Sequence, residues 1–114
     1  MDATRRFADF LCGLKYEDLP EVAIGKAKLC LLDWIGVAVA AFVSEKSKMG
    51  MMFSTLRPFF GQPQATLLTR RTKADLINAA LINGTAAHLL DYDDVYFPST
   101  IHPSAAVIPS ALTM

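Results

Sequence analysis

The sequence predicts an all-α fold, a bundle of about five helices, and three observations carry that expectation. Apolar side chains recur three or four residues apart over several windows. Helix start and stop signals stand at the edges of those windows, as at Asp18-Leu19-Pro20 and Gly61-Gln62-Pro63. One window, residues 29–43, carries no charge except Asp33 and marks a core helix.

The elements follow in order. Residues 3–14 place Phe7, Phe10, Leu11 and Leu14 at helical spacing. Asp18 is a plausible cap, and Pro20 fits a first turn, where its missing N–H is no loss. The second helix is expected from about residue 20 to about 43. Its second half is apolar nearly all round, so it is assigned to the core. Gly36, Ala38, Ala40 and Ala41 are expected to let another helix approach, and a buried Asp33 would need a hydrogen-bonding partner. Residues 44–48 read as a polar break, followed by a third helix over 49–60. Residues 65–68 suit a short extended piece. Thr72 stands three residues before Asp75, like a capping box with Asp in place of Glu, and opens a fourth helix over about 73–90. Phe97-Pro98-Ser99-Thr100 reads as loop, and Pro103 opens a last helix. The apolar run over 105–112 meets no stop signal before Met114 and reads as cut rather than finished.

Composition narrows the class. A chain of 114 residues makes one small domain. It is 53% hydrophobic and 19% charged, against about a quarter charged in ordinary soluble domains. Either the core is rich or the surface expects a partner, a second copy (homodimer) or a missing C-terminal segment. Eleven acidic and eleven basic side chains cancel, which argues against nucleic acid as a partner. The cluster Arg70, Arg71, Lys73 reads as a solvated turn. The apolar stretch at 29–43 is shorter than the ~20 residues of a membrane span and includes Asp33, so no membrane is expected. Cys12 and Cys30 form no close pairing motif and suit a reducing compartment; the expected location is the cytoplasm, or the mitochondrial matrix for a eukaryotic protein whose targeting segment is missing. Two thiols fall short of the four thiolates that an iron–sulfur cluster commonly takes.

The chemistry concentrates in one window. Asn83-Gly84-Thr85-Ala86-Ala87-His88-Leu89-Leu90-Asp91-Tyr92-Asp93-Asp94, then His102-Pro103-Ser104, holds both histidines and three carboxylates within four positions. Ile77, Leu81, Gly84, His88 and Asp91 share one helical face if the helix runs through them. Asp94 then neighbours Asp91, and Asp93 points elsewhere. Three carboxylates at a helix C-terminus oppose the helix dipole. Two chemistries fit: proton transfer by an Asp and a His in an elimination, or divalent-metal binding by helix-spaced aspartates for a diphosphate substrate. The second lacks another Asp-rich segment.

At these residues the sequence resembles the N-terminal region of the MmgE/PrpD family, which includes 2-methylcitrate dehydratases and cis-aconitate decarboxylases. The family pattern is Asn-Gly, a few small residues, His, Asp-Phe-Asp-Asp-Thr, a short loop and His-Pro-Ser. Here it stands as Asn83-Gly84, His88, Asp91-Tyr92-Asp93-Asp94-Val95 and His102-Pro103-Ser104. The stretch from Leu19-Pro20 through Asp33-Trp34-Ile35-Gly36-Val37 is similar to the family's first long helix. The resemblance implies that residues 1–114 are part of a larger helical domain, with the active site between that domain and a smaller α/β domain. It implies Asp91 and His102 as catalytic residues of a lyase acting on a di- or tricarboxylic acid by dehydration or decarboxylation. His88, Asp93, Asp94, Val95 and Ser104 are then substrate-contacting or supporting, with His88 orienting Asp91 or the loop and Asp94 capping the loop. Val95 stands where the family has Thr and lacks its hydroxyl. No metal and no organic cofactor is implied. Thr85 to Met114 contains no Lys or Arg, so the cations that hold a polycarboxylate must come from elsewhere. The alternative is a non-catalytic helical remnant acting in oligomerisation or binding.

Overall fold

The Asp2 carboxylate accepts hydrogen bonds from the backbone N–H groups of Thr4 and Arg5, two donors that a helix start otherwise leaves bare. From there the computed structural model describes residues 2–68 and 70–113. They form five α-helices: α1 (Ala3–Gly13), α2 (Glu21–Ser44), α3 (Lys46–Leu56), α4 (Leu76–His88) and α5 (Pro103–Leu112). A small antiparallel ribbon, β1 (Ala65–Thr66) paired with β2 (Lys73–Ala74), sits between α3 and α4. The fold is all-α, as the spacing predicts.

The core lies where α2, α3 and α4 meet. Trp34, Ala38, Ala41 and Phe42 of α2 join Met49 of α3 and Ala79, Ile82, Ala86 and Ala87 of α4, with Ala74 of the ribbon and Leu67 just past β1. Five of these residues are alanines on α2 and α4, so the two helices meet through small side chains. Trp34 and Ile82 fill the remaining space, and burying side chains of that size stabilises by about 1.5–3 kcal/mol each.

The burial of α2 is one-sided, which corrects the expectation of a helix buried all round. Leu29, Leu32, Ile35, Val39 and Val43 are exposed on its other side. Asp33 is exposed too and needs no buried partner. Nor is Gly36 a contact point: a Cβ added there meets nothing within 4 Å. By length and composition alone α2 could cross a membrane, but one side of it is the protein core. In α1, Phe7, Phe10, Leu11 and Leu14 are also exposed, and the helix has no buried residue.

Three boundaries differ from the sequence reading, each for a local reason. Only Glu45 separates α2 from α3. The polar stretch at 44–48 is mostly the solvated first turn of α3, where the Lys48 ammonium meets the Glu45 carboxylate at 2.9 Å. The other end of α3 stops at Leu56 and tightens into a 3₁₀ turn over Arg57–Phe59, because Pro58 has no N–H with which to continue the ladder. And α4 begins at Leu76, not 73, since Lys73–Ala74 is taken by the ribbon.

Asp75 is itself the cap of α4, displacing Thr72 from that role. Its carboxylate accepts from Asn78 N at 3.1 Å, from Asn78 Nδ2 at 2.7 Å and from Gly61 N at 2.9 Å. The Asn78 side chain, then the Gly61 and Asn78 amides, favour the ionised form and lower its pKa from 3.8 to about 2. Further along α4, buried Asn83 accepts from Leu68 N at 3.0 Å and donates to the Thr66 carbonyl at 3.0 Å. It pins the ribbon to the helix.

Where α4 meets α5, Gly84 is needed. A Cβ there would lie 2.8 Å from the Ala105 carbonyl oxygen and 3.3 Å from Pro109 Cγ. Pro109 lies inside α5 and has no N–H to give the carbonyl four residues back, that of Ala105. That carbonyl therefore rests against the bare face of Gly84.

Candidate functional site

The site is built at the C-terminal end of α4 and the N-terminal end of α5. The helix α4 stops at His88, about two residues short of the expected end. Asp91 takes φ 53° and returns its N–H to the His88 carbonyl at 3.0 Å. A left-handed residue ends helices in this way, and Asp tolerates it better than most non-glycine residues. The chain then folds back through a bridge between Tyr96 and Ile101, with Thr100 at φ 52°. For a β-branched side chain that backbone is an outlier. The hairpin delivers His102 to the mouth of α5, next to the end of α4.

This break rearranges the expected partners. Asp91 and Asp94 do not neighbour each other along a helix, and Asp93 does not point away. Asp93 is the buried carboxylate, with its side chain 1% exposed. It accepts from His88 Nδ1 at 3.0 and 3.1 Å, so the partner of His88 is Asp93 rather than Asp91. His102 Nδ1 lies 3.3 Å from Asp93 Oδ1. That nitrogen is buried and its approach falls outside good hydrogen-bond geometry, so the contact is electrostatic. The two imidazoles stand 4.8 Å apart, centroid to centroid. Asp91 is the outward carboxylate, 82% exposed, with Oδ1 3.8 Å from His102 Nε2.

Asp94 and Ser104 hold the frame. Asp94 accepts from Ser104 N at 3.1 Å and from Ser104 Oγ at 2.8 Å. A carboxylate at the start of α5 also meets the positive end of the helix dipole. Ser104 is buried by this pairing. Val95 is exposed at the base of the hairpin.

In front of the imidazoles lies an open cleft of about 470 Å³, lined by Thr85, His88, Thr100 and His102, with Gly84, Ile101, Ala105 and Ala106 as its walls. That volume suits a small organic ligand. No lysine or arginine lines it. A second recess brings Lys26 near the loop, but Asp33, Asp93 and Asp94 line it as well, so its balance disfavours an anion. Sequence reasoning did not assign Thr85, Thr100 or the walls of the cleft to the site, because a helix drawn through Asp91 hides the hairpin that brings Thr100 and Ile101 beside α4.

One ligand atom from each of His88, Asp91, Asp93 and His102 falls within 4.8 Å of the others. Two imidazoles and two carboxylates are a donor set for zinc-like ions rather than magnesium. The magnesium reading rested on Asp91 and Asp94 along one helix; that spacing is lost, and Asp94 is engaged with Ser104.

Comparison with known proteins agrees with the motif. A family model described as the MmgE/PrpD N-terminal domain matches residues 5–114. The chain is similar to cis-aconitate decarboxylase of Homo sapiens, 31% identical over 112 residues, covering 93% of this chain and 22% of that protein. It is similar to cis-aconitate decarboxylase of Mus musculus, 32% identical over 107 residues, covering 93% of this chain and 21% of that protein. The chain thus spans about a fifth of the length of these relatives.

Proposed function

This chain belongs to the MmgE/PrpD family, and from that membership we propose that it supplies the acid–base part of a lyase site for a small di- or tricarboxylic acid. The reaction is a dehydration or a decarboxylation, with cis-aconitate the first substrate to try because both relatives carry that activity in their names.

One observation carries the reading: Asp91 and His102, far apart along the loop, bring a carboxylate oxygen and a ring nitrogen to 3.8 Å. Two proton-transfer groups at that distance can serve one substrate in turn. One accepts the proton beside a substrate carboxylate; the other protonates the departing hydroxyl or the carbanion left by carbon dioxide. The cations that hold the substrate come from polypeptide outside these residues, since neither lysine nor arginine lines the cleft. The bare apolar sides of α1 and α2 support such an association, with a second copy or with further chain.

The test is a chimera. The matching N-terminal segment of the human relative is replaced by this chain and assayed with cis-aconitate and with 2-methylcitrate. Asp91→Asn and His102→Gln are expected to lower kcat about 10²–10⁴-fold, the range of general acid–base catalysis, with Tm unchanged. Should the chimera not fold, the residues aligned with Asp91 and His102 are exchanged in the human protein itself. Near-normal turnover in both variants removes these two residues from the mechanism.

A further inference from the structure

We infer that Asp93 is a positioning residue that holds both imidazoles in one tautomer, with the proton on Nδ1 and Nε2 bare. The only part of this that rests on the proposed function is its use: His102 then enters the reaction as a proton acceptor.

The chain of reasoning starts from burial. Asp93 is 1% exposed, and an unpaired buried carboxylate is costly. Its side-chain neighbours are two ring nitrogens, both Nδ1: that of His88 at 3.0 Å and that of His102 at 3.3 Å. A carboxylate only accepts hydrogen bonds, so the His88 nitrogen facing it carries hydrogen. The His102 nitrogen is buried with no other polar partner among the described residues. A lone pair there would face the carboxylate oxygen, and the two would repel. Nδ1–H removes that repulsion even where the angle is too poor for a full hydrogen bond.

The consequence lies on the opposite edge of each ring. With Nδ1 occupied, the Nε2 of His102 is a lone pair, and it is this atom that stands 3.8 Å from Asp91. Asp91 is 82% exposed and solvated, so this lone pair stays open to take a proton, which the pair can later return to the substrate. When Nε2 takes a proton from a substrate carbon, the C–H electron pair stays on the substrate and the ring becomes imidazolium. Its Nδ1–H remains turned to Asp93, which offsets the new charge. His88 is anchored to the same carboxylate and keeps the pair in register.

Imidazole ¹⁵N NMR on the full chain, with long-range proton correlations, reads the tautomers directly. The expected result is Nδ1–H in both neutral rings. Asp93→Asn offers one accepting oxygen instead of two, so at least one ring should move towards Nε2–H. Asp94→Asn, which alters the Ser104 contact instead, should leave both patterns as they were. A dominant Nε2–H form in either ring of the unchanged chain overturns the inference, as does an Asp93→Asn spectrum identical to it. If Asp93→Asn does not fold, the spectrum of the unchanged chain decides alone. Turnover plays no part here, so a failed lyase assay and a failed tautomer assignment are separate outcomes.

Discussion

Replacing Gly84 by alanine tests how α4 and α5 meet. The new Cβ would lie 2.8 Å from the Ala105 carbonyl oxygen, where ordinary contacts begin at 3.4 Å. The α5 backbone must therefore retreat by about half an ångström. No flexible side chain can absorb the move, since the obstacle is backbone. Overpacking of this kind costs about 1–3 kcal/mol. Alanine recovers about 0.8–1 kcal/mol over glycine in a helix interior. With a rigid carbonyl in the way, the first effect wins, leaving a net loss of up to about 2 kcal/mol. For a domain of this size that lowers Tm by up to roughly 15 °C. Gly36→Ala is the matched control, because a Cβ there meets nothing within 4 Å. It should raise stability by about 0.5–1 kcal/mol. Thermal unfolding followed by circular dichroism compares the two. A Gly84→Ala protein as stable as Gly36→Ala would refute the close approach of the helices.

Two further outcomes follow from the polar anchors. The folded pKa of Asp75 lies below its ordinary 3.8, at about 2, so its stabilisation is present above about pH 4 and lost as pH falls towards 2. Tm should therefore drop across that window, whereas Asp75→Ala should begin lower and lose less; equal slopes in both proteins would remove Asp75 from the acid response. Asn83→Ala strands the Leu68 amide and the Thr66 carbonyl, both held at 3.0 Å. Both bonds are partly buried, so the loss is at most the ~1–3 kcal/mol of a buried group left unmade; the urea midpoint should fall, and an unchanged midpoint would mean that water replaces both bonds.

The helices were legible because α2, α4 and α5 repeat apolar residues at helical spacing. Their ends were less so. Asp75 outcompetes Thr72 as a cap because its carboxylate also reaches Gly61, fourteen residues upstream, a contact no local motif encodes. The one-sided burial of α2 is equally hidden, since exposed Leu32 and buried Val37 are alike in hydropathy. In the site, the same residue types were found, and the spacing argument misassigned their partners. It assumed a helix through Asp91, whereas the left-handed turn there sends Asp93 inward and Asp91 outward.

That turn also sets stability against the proposed chemistry. An L-residue in the left-handed region carries about 1–2 kcal/mol of strain that glycine escapes, and Asp91 and Thr100 both sit there. A laboratory selection for heat resistance alone would be drawn to these positions and would favour glycine at both. At Asp91 the hardier protein would have lost the carboxylate that faces His102. A library scored on survival at high temperature would therefore enrich variants that fold better and lack the carboxylate 3.8 Å from His102.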